Sequence, residues 1–305
     1  YEAIAVELIN AGALVHATNK YGEKPIDKCK GDLAQRLEKL AVESGEDLRK
    51  ISFNDPNVTG LKTRSRDATL SRNKGINVRD LSLHTKLSSS PCHEMWHGTW
   101  QRNDVVVRVL SFRDYSARIT RDFNEEFPRL RIFSHPNILP VIGGSADPPY
   151  LYIVTQATPY GSLYKILHEG AGLVVDTALA LSLAADVARG MAFLHSLDQP
   201  IMGMNLNSKH VVIDEERRAR ISMAHSKFSF EERGKVLYPQ WMAPEALQIR
   251  QTQMNMKAAD MWSYAILLWE LATREVPFAD LSPMEAGMKI ALEQLRVQIP
   301  PGLSP

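Results

Sequence analysis

Among the side chains of this 305-residue chain that could do chemistry, nine are histidines and two are cysteines. Cys29 and Cys92 are the only cysteines, too few for a disulfide framework or a four-ligand zinc site, which points to a reducing compartment. Arg108 interrupts the apolar run at 105–110, where a guanidinium keeps its charge and presents a planar fork of donors. Lys plus Arg number 36 against 35 Asp plus Glu, a net charge of +1, so no global basic field would hold the chain on a nucleic acid. Apolar residues make up 44% and charged residues 23%, which excludes wholesale disorder and supplies a sizeable core.

The elements that position these groups fall into three stretches. Residues 1–45, within a first domain of 1–50, read as helical: Ile4, Ala5, Leu8 and Ile9 share one helical face, Gly12 is a helix stop, and Leu33, Leu37 and Leu40 carry a second helix. Between them stand the polar turn Asn19-Lys20-Tyr21-Gly22 and the helix opening Lys24-Pro25-Ile26-Asp27. This order resembles the end of an ankyrin repeat array, with the family's Thr-Pro-Leu-His replaced by Lys-Pro-Ile-Asp. Residues 51–80 read as a polar linker, basic because seven Lys/Arg stand against two Asp between Gly60 and Lys86. That charge would attract anionic lipid headgroups or serve simply as a solvated connection. From residue 81 the pattern turns to short strands, at 105–110 and 150–154, and then to long helices at 178–196 and 258–273, an α+β arrangement. Asp186 and Arg189 break the apolar run near 178–194, so no membrane span is expected there.

Within residues 81–305 a set of landmarks stands in order. The strand Val105-Val106-Val107-Arg108-Val109-Leu110 is followed by Phe123-Asn124-Glu125-Glu126 and Ser134-His135-Pro136-Asn137-Ile138-Leu139. Then come Thr155, Gly161-Ser162-Leu163, Met242-Ala243-Pro244-Glu245 and Asp260-Met261-Trp262-Ser263. The series resembles a protein kinase domain, which implies a bilobal α+β fold. Arg121-Asp122-Phe123-Asn124-Glu125-Glu126, Ala188-Arg189-Gly190-Met191-Ala192-Phe193-Leu194-His195 and Arg274-Glu275-Val276-Pro277-Phe278-Ala279-Asp280 narrow the resemblance to the integrin-linked kinase family, as does the ankyrin-like stretch upstream.

The resemblance implies where phosphoryl-transfer chemistry would sit, and most of those positions are altered. Such transfer asks for a glycine-rich lid, a strand lysine held by a helix glutamate, a catalytic aspartate and two metal-binding side chains. The lid spans 87–98 and keeps only Gly98, leaving Ser88 and Ser90 as hydroxyl donors. Arg108 replaces the lysine and is expected to form a structural pair with Glu126; Thr155 is the gatekeeper. Asn205 replaces the catalytic aspartate and, being an amide, cannot accept a proton near neutral pH; His210 and His225 replace the metal ligands, where they could hold a transition metal between them, two ordinary polar histidines being the plainer reading. Losing base and metal site together removes most charge stabilisation in the transition state. Lys227 remains within reach of a phosphate. The implied cofactor is therefore ATP as a weakly bound structural ligand, with magnesium poorly served.

The function implied is a pseudokinase scaffold joining integrin cytoplasmic tails to the actin cytoskeleton, cytoplasmic at focal adhesions and the inner face of the plasma membrane. Its alternative is an active atypical serine/threonine kinase recruiting Asp214 or Glu215 as base or metal ligand. Implied partners are a parvin-type calponin-homology domain at Met288 and Lys289, a PINCH-type LIM protein on the repeats, an integrin β tail and anionic lipid, with no nucleic acid. Met284 and Met288, four apart on one helical face, would by themselves read as core packing. The chain opens on Tyr1-Glu2-Ala3 with no leader pattern and stops at Pro305, so it is expected to be a fragment cut at both ends. Apolar surface exposed around the 258–273 helix, low stability and a Glu245 lacking its arginine partner are the expected consequences.

Overall fold

A computed structural model of the chain describes residues 2–10, 13, 15, 24–29, 31–43, 51–52, 76–91, 93–112, 114–131, 133–170, 172–203, 205–231, 236–248 and 254–302. The expected glycine stop at Gly12, the turn at 19–22, most of the basic linker and Cys92 lie outside the described residues. The chain divides into two compact units, Tyr1–Ala157 and Thr158–Pro305.

The first unit begins with helices α1 (Glu2–Asn10) and α2 (Asp32–Glu43). Ile9, Val15, Ile26, Leu37 and Ala41 form a small core between them. Pro25 opens a short 3₁₀ turn, and the Lys24 N–H donates to the Asp27 carboxylate at 2.8 Å, which satisfies one orphan backbone donor. The apolar face of α1 is divided: Ile9 is buried, whereas Ile4 and Leu8 are exposed.

A five-stranded antiparallel sheet follows. It contains β1 (Leu81–Ser89), β2 (His93–Trp100), β3 (Asn103–Ser111), β4 (Gly143–Asp147) and β5 (Tyr150–Gln156), in the order β1-β2-β3-β5-β4. The β-branched run in β3 suits a central strand. Val105, Val107 and Val109 pack with Ile76, Trp100, Ile142 and Val154 into the sheet's core. Alternation sends Arg108 and Leu110 to the opposite face, yet both are also buried. Helix α3 (Ala117–Glu126) seats the fully buried Phe123 over Gly144, where an added Cβ would lie 2.8 Å from the phenyl ring. Glycine is therefore a packing requirement at Gly144.

The second unit is mostly helical: α4 (Leu163–His168), α5 (Thr177–Ser196), α6 (Met256–Thr273) and α7 (Pro283–Leu292), with a hairpin of β6 (Val211–Ile213) and β7 (Ala219–Ser222). Each helix starts on a side-chain cap from Ser162, Asp176, Asn255 or Ser282. By length and composition α5 could cross a bilayer. Here, however, Leu183, Val187 and Leu194 are fully buried, and Asp186 accepts a hydrogen bond from the Ala219 N–H at 2.9 Å and pairs with Arg189.

The core of this unit is organised by two buried carboxylates on α6. Asp260 accepts from His195 Nε2 and from the Gly203 N–H, both at 2.9 Å. Glu270 accepts from His168 Nε2 at 2.8 Å, Ser208 Oγ at 2.6 Å and Trp241 Nε1 at 2.9 Å. It thereby ties α4, the 203–210 loop and the Pro239–Trp241 turn to α6. Replacing Glu270 by alanine leaves three buried donors without their acceptor. Urea denaturation is expected to show a loss of about 3–5 kcal/mol, well above that of an exposed glutamate such as Glu275→Ala.

Candidate functional site

The degenerate positions fall into two groups, one in each unit. In the first, β3 places Arg108 opposite Met95 on one side and Ile153 on the other. Its guanidinium is only 4% exposed, and His93 beside it is 5% exposed. Burial, with the Arg108 charge as the second cause, pulls His93 down to about 4 from its ordinary 6.5. His93 is thus a neutral imidazole at physiological pH, a feature whose sequence signal is only its place at the start of an alternating strand.

The lid expected at 87–98 becomes a tight hairpin instead. Ser90 closes the turn: its N–H donates to the His93 carbonyl at 2.9 Å, and its hydroxyl donates to the same oxygen at 3.0 Å while accepting the His93 N–H at 3.1 Å. This corrects the expectation that the Ser90 hydroxyl is available to a phosphate. Ser88 stays on the exposed strand β1 opposite Met95. Gly98 sits mid-strand in β2, where a Cβ would come within 2.3 Å of the Ser82 carbonyl oxygen. Its role is close strand approach. Thr155 is buried in β5 and donates to the Val106 carbonyl at 3.4 Å; Glu126 ends α3 half-buried.

In the second unit, Asn205 adopts a left-handed φ of 52°, and its Nδ2 donates to the Leu237 carbonyl at 3.1 Å. The side chain at the catalytic-base position therefore pins a neighbouring segment. Asn207 shapes the rest of the loop: Oδ1 accepts from the N–H groups of Lys209 and His210, and Nδ2 donates to the Asn205 carbonyl. His210 stacks on His225 with ring centroids 4.1 Å apart and planes 11° apart, and meets Tyr238 edge-on at 5.8 Å. Imidazole lone pairs lie in the ring plane, so two nearly parallel rings cannot direct them at one ion. That geometry corrects the transition-metal reading of the pair. Among the described residues no group of three or more His, Cys, Asp or Glu is arranged to hold a metal. Nor does Asp214 serve as a substitute base: its carboxylate accepts the Glu216 and Arg218 N–H groups and closes the β6–β7 turn.

Lys209 was not singled out by its sequence. Its ammonium lies 4.1 Å from the Tyr164 ring centre and 4.8 Å from that of Tyr238. Desolvation lowers its pKa, and the nearby Glu169 and Glu270 charges oppose the shift. Lys227 is exposed.

On the surface of the same unit, α7 buries Ala286 and Ile290, and Gly287 rests close against Pro239, where a Cβ would meet the proline Cβ at 3.0 Å. The opposite face carries Met284, Met288 and Leu292, which are 75%, 56% and 75% exposed. The core-packing reading of Met284 and Met288 is thereby corrected. Lys289 flanks this stripe, half-buried. On α6, Met261 and Leu268 are also exposed. Among the described residues Glu245 forms no ion pair.

A family model described as protein tyrosine and serine/threonine kinase matches residues 81–305, and the chain belongs to the protein kinase superfamily. More narrowly, it belongs to the integrin-linked kinase family. It is 52% identical over 279 residues to the "Integrin-linked protein kinase homolog pat-4" of Caenorhabditis elegans, covering 91% of this chain and 60% of that one. It is 53% identical over 283 residues to the "Scaffold protein ILK" of Homo sapiens, covering 92% and 63%. The "Serine/threonine-protein kinase CTR1" of Arabidopsis thaliana is 32% identical over 232 residues. The chain spans about three fifths of the length of its two integrin-linked relatives.

The buried His93 gives the first unit a pH signature. Its folded pKa lies below its unfolded value, so the folded state binds fewer protons between about pH 4 and 6.5, and stability falls as pH drops through that window. The loss reaches about 3 kcal/mol. Urea midpoints measured at several pH values are expected to fall less steeply toward acid for His93→Gln than for the wild type.

Proposed function

We propose that the chain is a pseudokinase scaffold that links integrin cytoplasmic tails to the actin cytoskeleton through protein contacts, with little or no phosphoryl transfer. The observation that carries this reading is the stacked His210–His225 pair, which replaces both metal-binding oxygen ligands with rings packed on one another. Asn205, held by the Leu237 carbonyl, supports it further, because the base position performs a structural task. The name "Scaffold protein ILK" borne by a relative agrees with it.

Magnesium does not fit this site. ATP remains a candidate structural ligand of the first unit, with Arg108, Thr155 and Ser88 as the residues to hold it and Ser90 withdrawn into its turn, while Lys227 is an exposed lysine of the second unit. The partner assigned to α7 is a parvin-type calponin-homology domain, docking on the exposed stripe through Met288 and Lys289. A PINCH-type LIM protein is assigned to the N-terminal helices as the end of an ankyrin array, and anionic lipid to the basic linker. With such partners the chain would work in the cytoplasm at focal adhesions.

Two measurements test the proposal. Co-purification with a parvin-type calponin-homology domain is expected for the wild type, with about tenfold or greater weakening for Met288→Ala if this methionine is an interface anchor. Radiolabelled phosphate transfer by the purified chain is expected to stay at background and to be unchanged in Arg108→Ala. Absence of wild-type binding, or transfer abolished by Arg108→Ala, would reverse the assignment to a scaffold and favour the active kinase.

A further inference from the structure

We propose that Ser282 is a phosphorylation site for a proline-directed serine/threonine kinase, and that the phosphate turns off the apolar docking face of α7. The inference rests on the scaffold reading, because the surface it regulates is the Met284–Met288–Leu292 stripe.

Ser282 immediately precedes Pro283, is exposed, and holds an extended backbone with φ −64° and ψ 153°. Proline fixes φ and removes the N–H of the residue after the acceptor, the feature that proline-directed kinases select. The other Ser-Pro pair among the described residues begins with Ser90, whose hydroxyl is engaged inside its hairpin turn. Ser282 also uses its hydroxyl locally, donating to Glu285 Oε2 at 2.7 Å and accepting the Glu285 N–H at 3.3 Å while its own N–H donates to the same carboxylate oxygen at 3.0 Å, but this cap lies on an exposed residue at the surface. The reaction is ordinary phosphoryl transfer. Ser282 Oγ bonds to the γ-phosphorus of a nucleoside triphosphate, the bond to the β–γ bridging oxygen breaks, the nucleoside diphosphate leaves, and the hydroxyl proton passes to the kinase's base.

The product changes the local electrostatics in two ways. A phosphoserine carries about −1.5 to −2 charges at neutral pH. At contact distance it repels the Glu285 carboxylate, so the reciprocal Ser282–Glu285 cap opens. Its oxygens take over the N–H groups of the first turn, where the helix dipole favours negative charge, and α7 persists. A dianion then stands two residues from Met284 at the end of the exposed stripe. An apolar partner surface seated there would have to desolvate it, so affinity falls while the fold is retained. Because the site adjoins the docking face, a bound partner protects it and modification acts on the unbound chain.

The test treats the full 305-residue chain with a recombinant proline-directed kinase and Mg-ATP, and reads intact mass and mapped peptides. The expected product carries phosphate on Ser282, which Ser282→Ala lacks. The phosphorylated chain is expected to keep its circular dichroism spectrum and to bind an immobilised parvin-type calponin-homology domain about tenfold or more weakly. Kinase-treated Ser282→Ala should bind as the untreated chain does. Failure to modify Ser282, or binding by the stoichiometrically phosphorylated chain within about twofold of the unmodified chain, overturns the proposal. If the unmodified chain does not bind the domain, the docking reading and the switch built on it both fail, and the mass spectrum alone still decides whether Ser282 is modified.

Discussion

Glu270 is a carboxylate with no exposed surface, and its desolvation is offset only because three donors from three separate segments converge on it. His168 brings the end of α4, Ser208 brings the loop that in an enzyme would hold the catalytic base, and Trp241 brings the turn on which α7 rests. Removing any one segment leaves a buried charge short of a partner. Helix α7, the altered catalytic loop and the buried α6 therefore share one constraint, and α7 owes its position on Pro239 to a turn that Glu270 anchors. Asp260 repeats the arrangement near the other end of α6 with His195 and Gly203.

Around that frame, several positions that serve phosphate chemistry in an active kinase have become contacts of the fold. Asn205 bonds the Leu237 carbonyl, His210 stacks on His225, and Ser90 of the lid completes a turn. Each of these side chains is satisfied within its own unit instead of being directed at a ligand. The family relation and the altered chemistry are consistent for that reason: landmarks that persist, such as Asp260, carry packing, while the altered ones are those whose first duty is to nucleotide and metal.

Much of this was legible in the amino-acid order. The β-branched run at 105–110 announced β3, and the ordered landmarks from Arg108 to Asp260 placed the chain in its family before any geometry was known. The reading failed where the answer depends on what lies across the fold. Methionines four apart suit a core or a docking face equally, and only the packing of Ala286, Gly287 and Ile290 leaves Met284 and Met288 outside. Two histidines could be ligands or packing rings until the angle between their planes is known.

Residue type and spacing by themselves determined the element types, the kinase-like order and the loss of the base and metal carboxylates, because these follow from local backbone preference and from which functional groups are present at all. Tertiary structure alone decided that burial, with the Arg108 charge second, would depress His93, that Lys209 would lie between two tyrosines, and that Glu270 would gather three donors. Those outcomes depend on desolvation and on distances between groups far apart in the chain. Both are set only when the chain has folded.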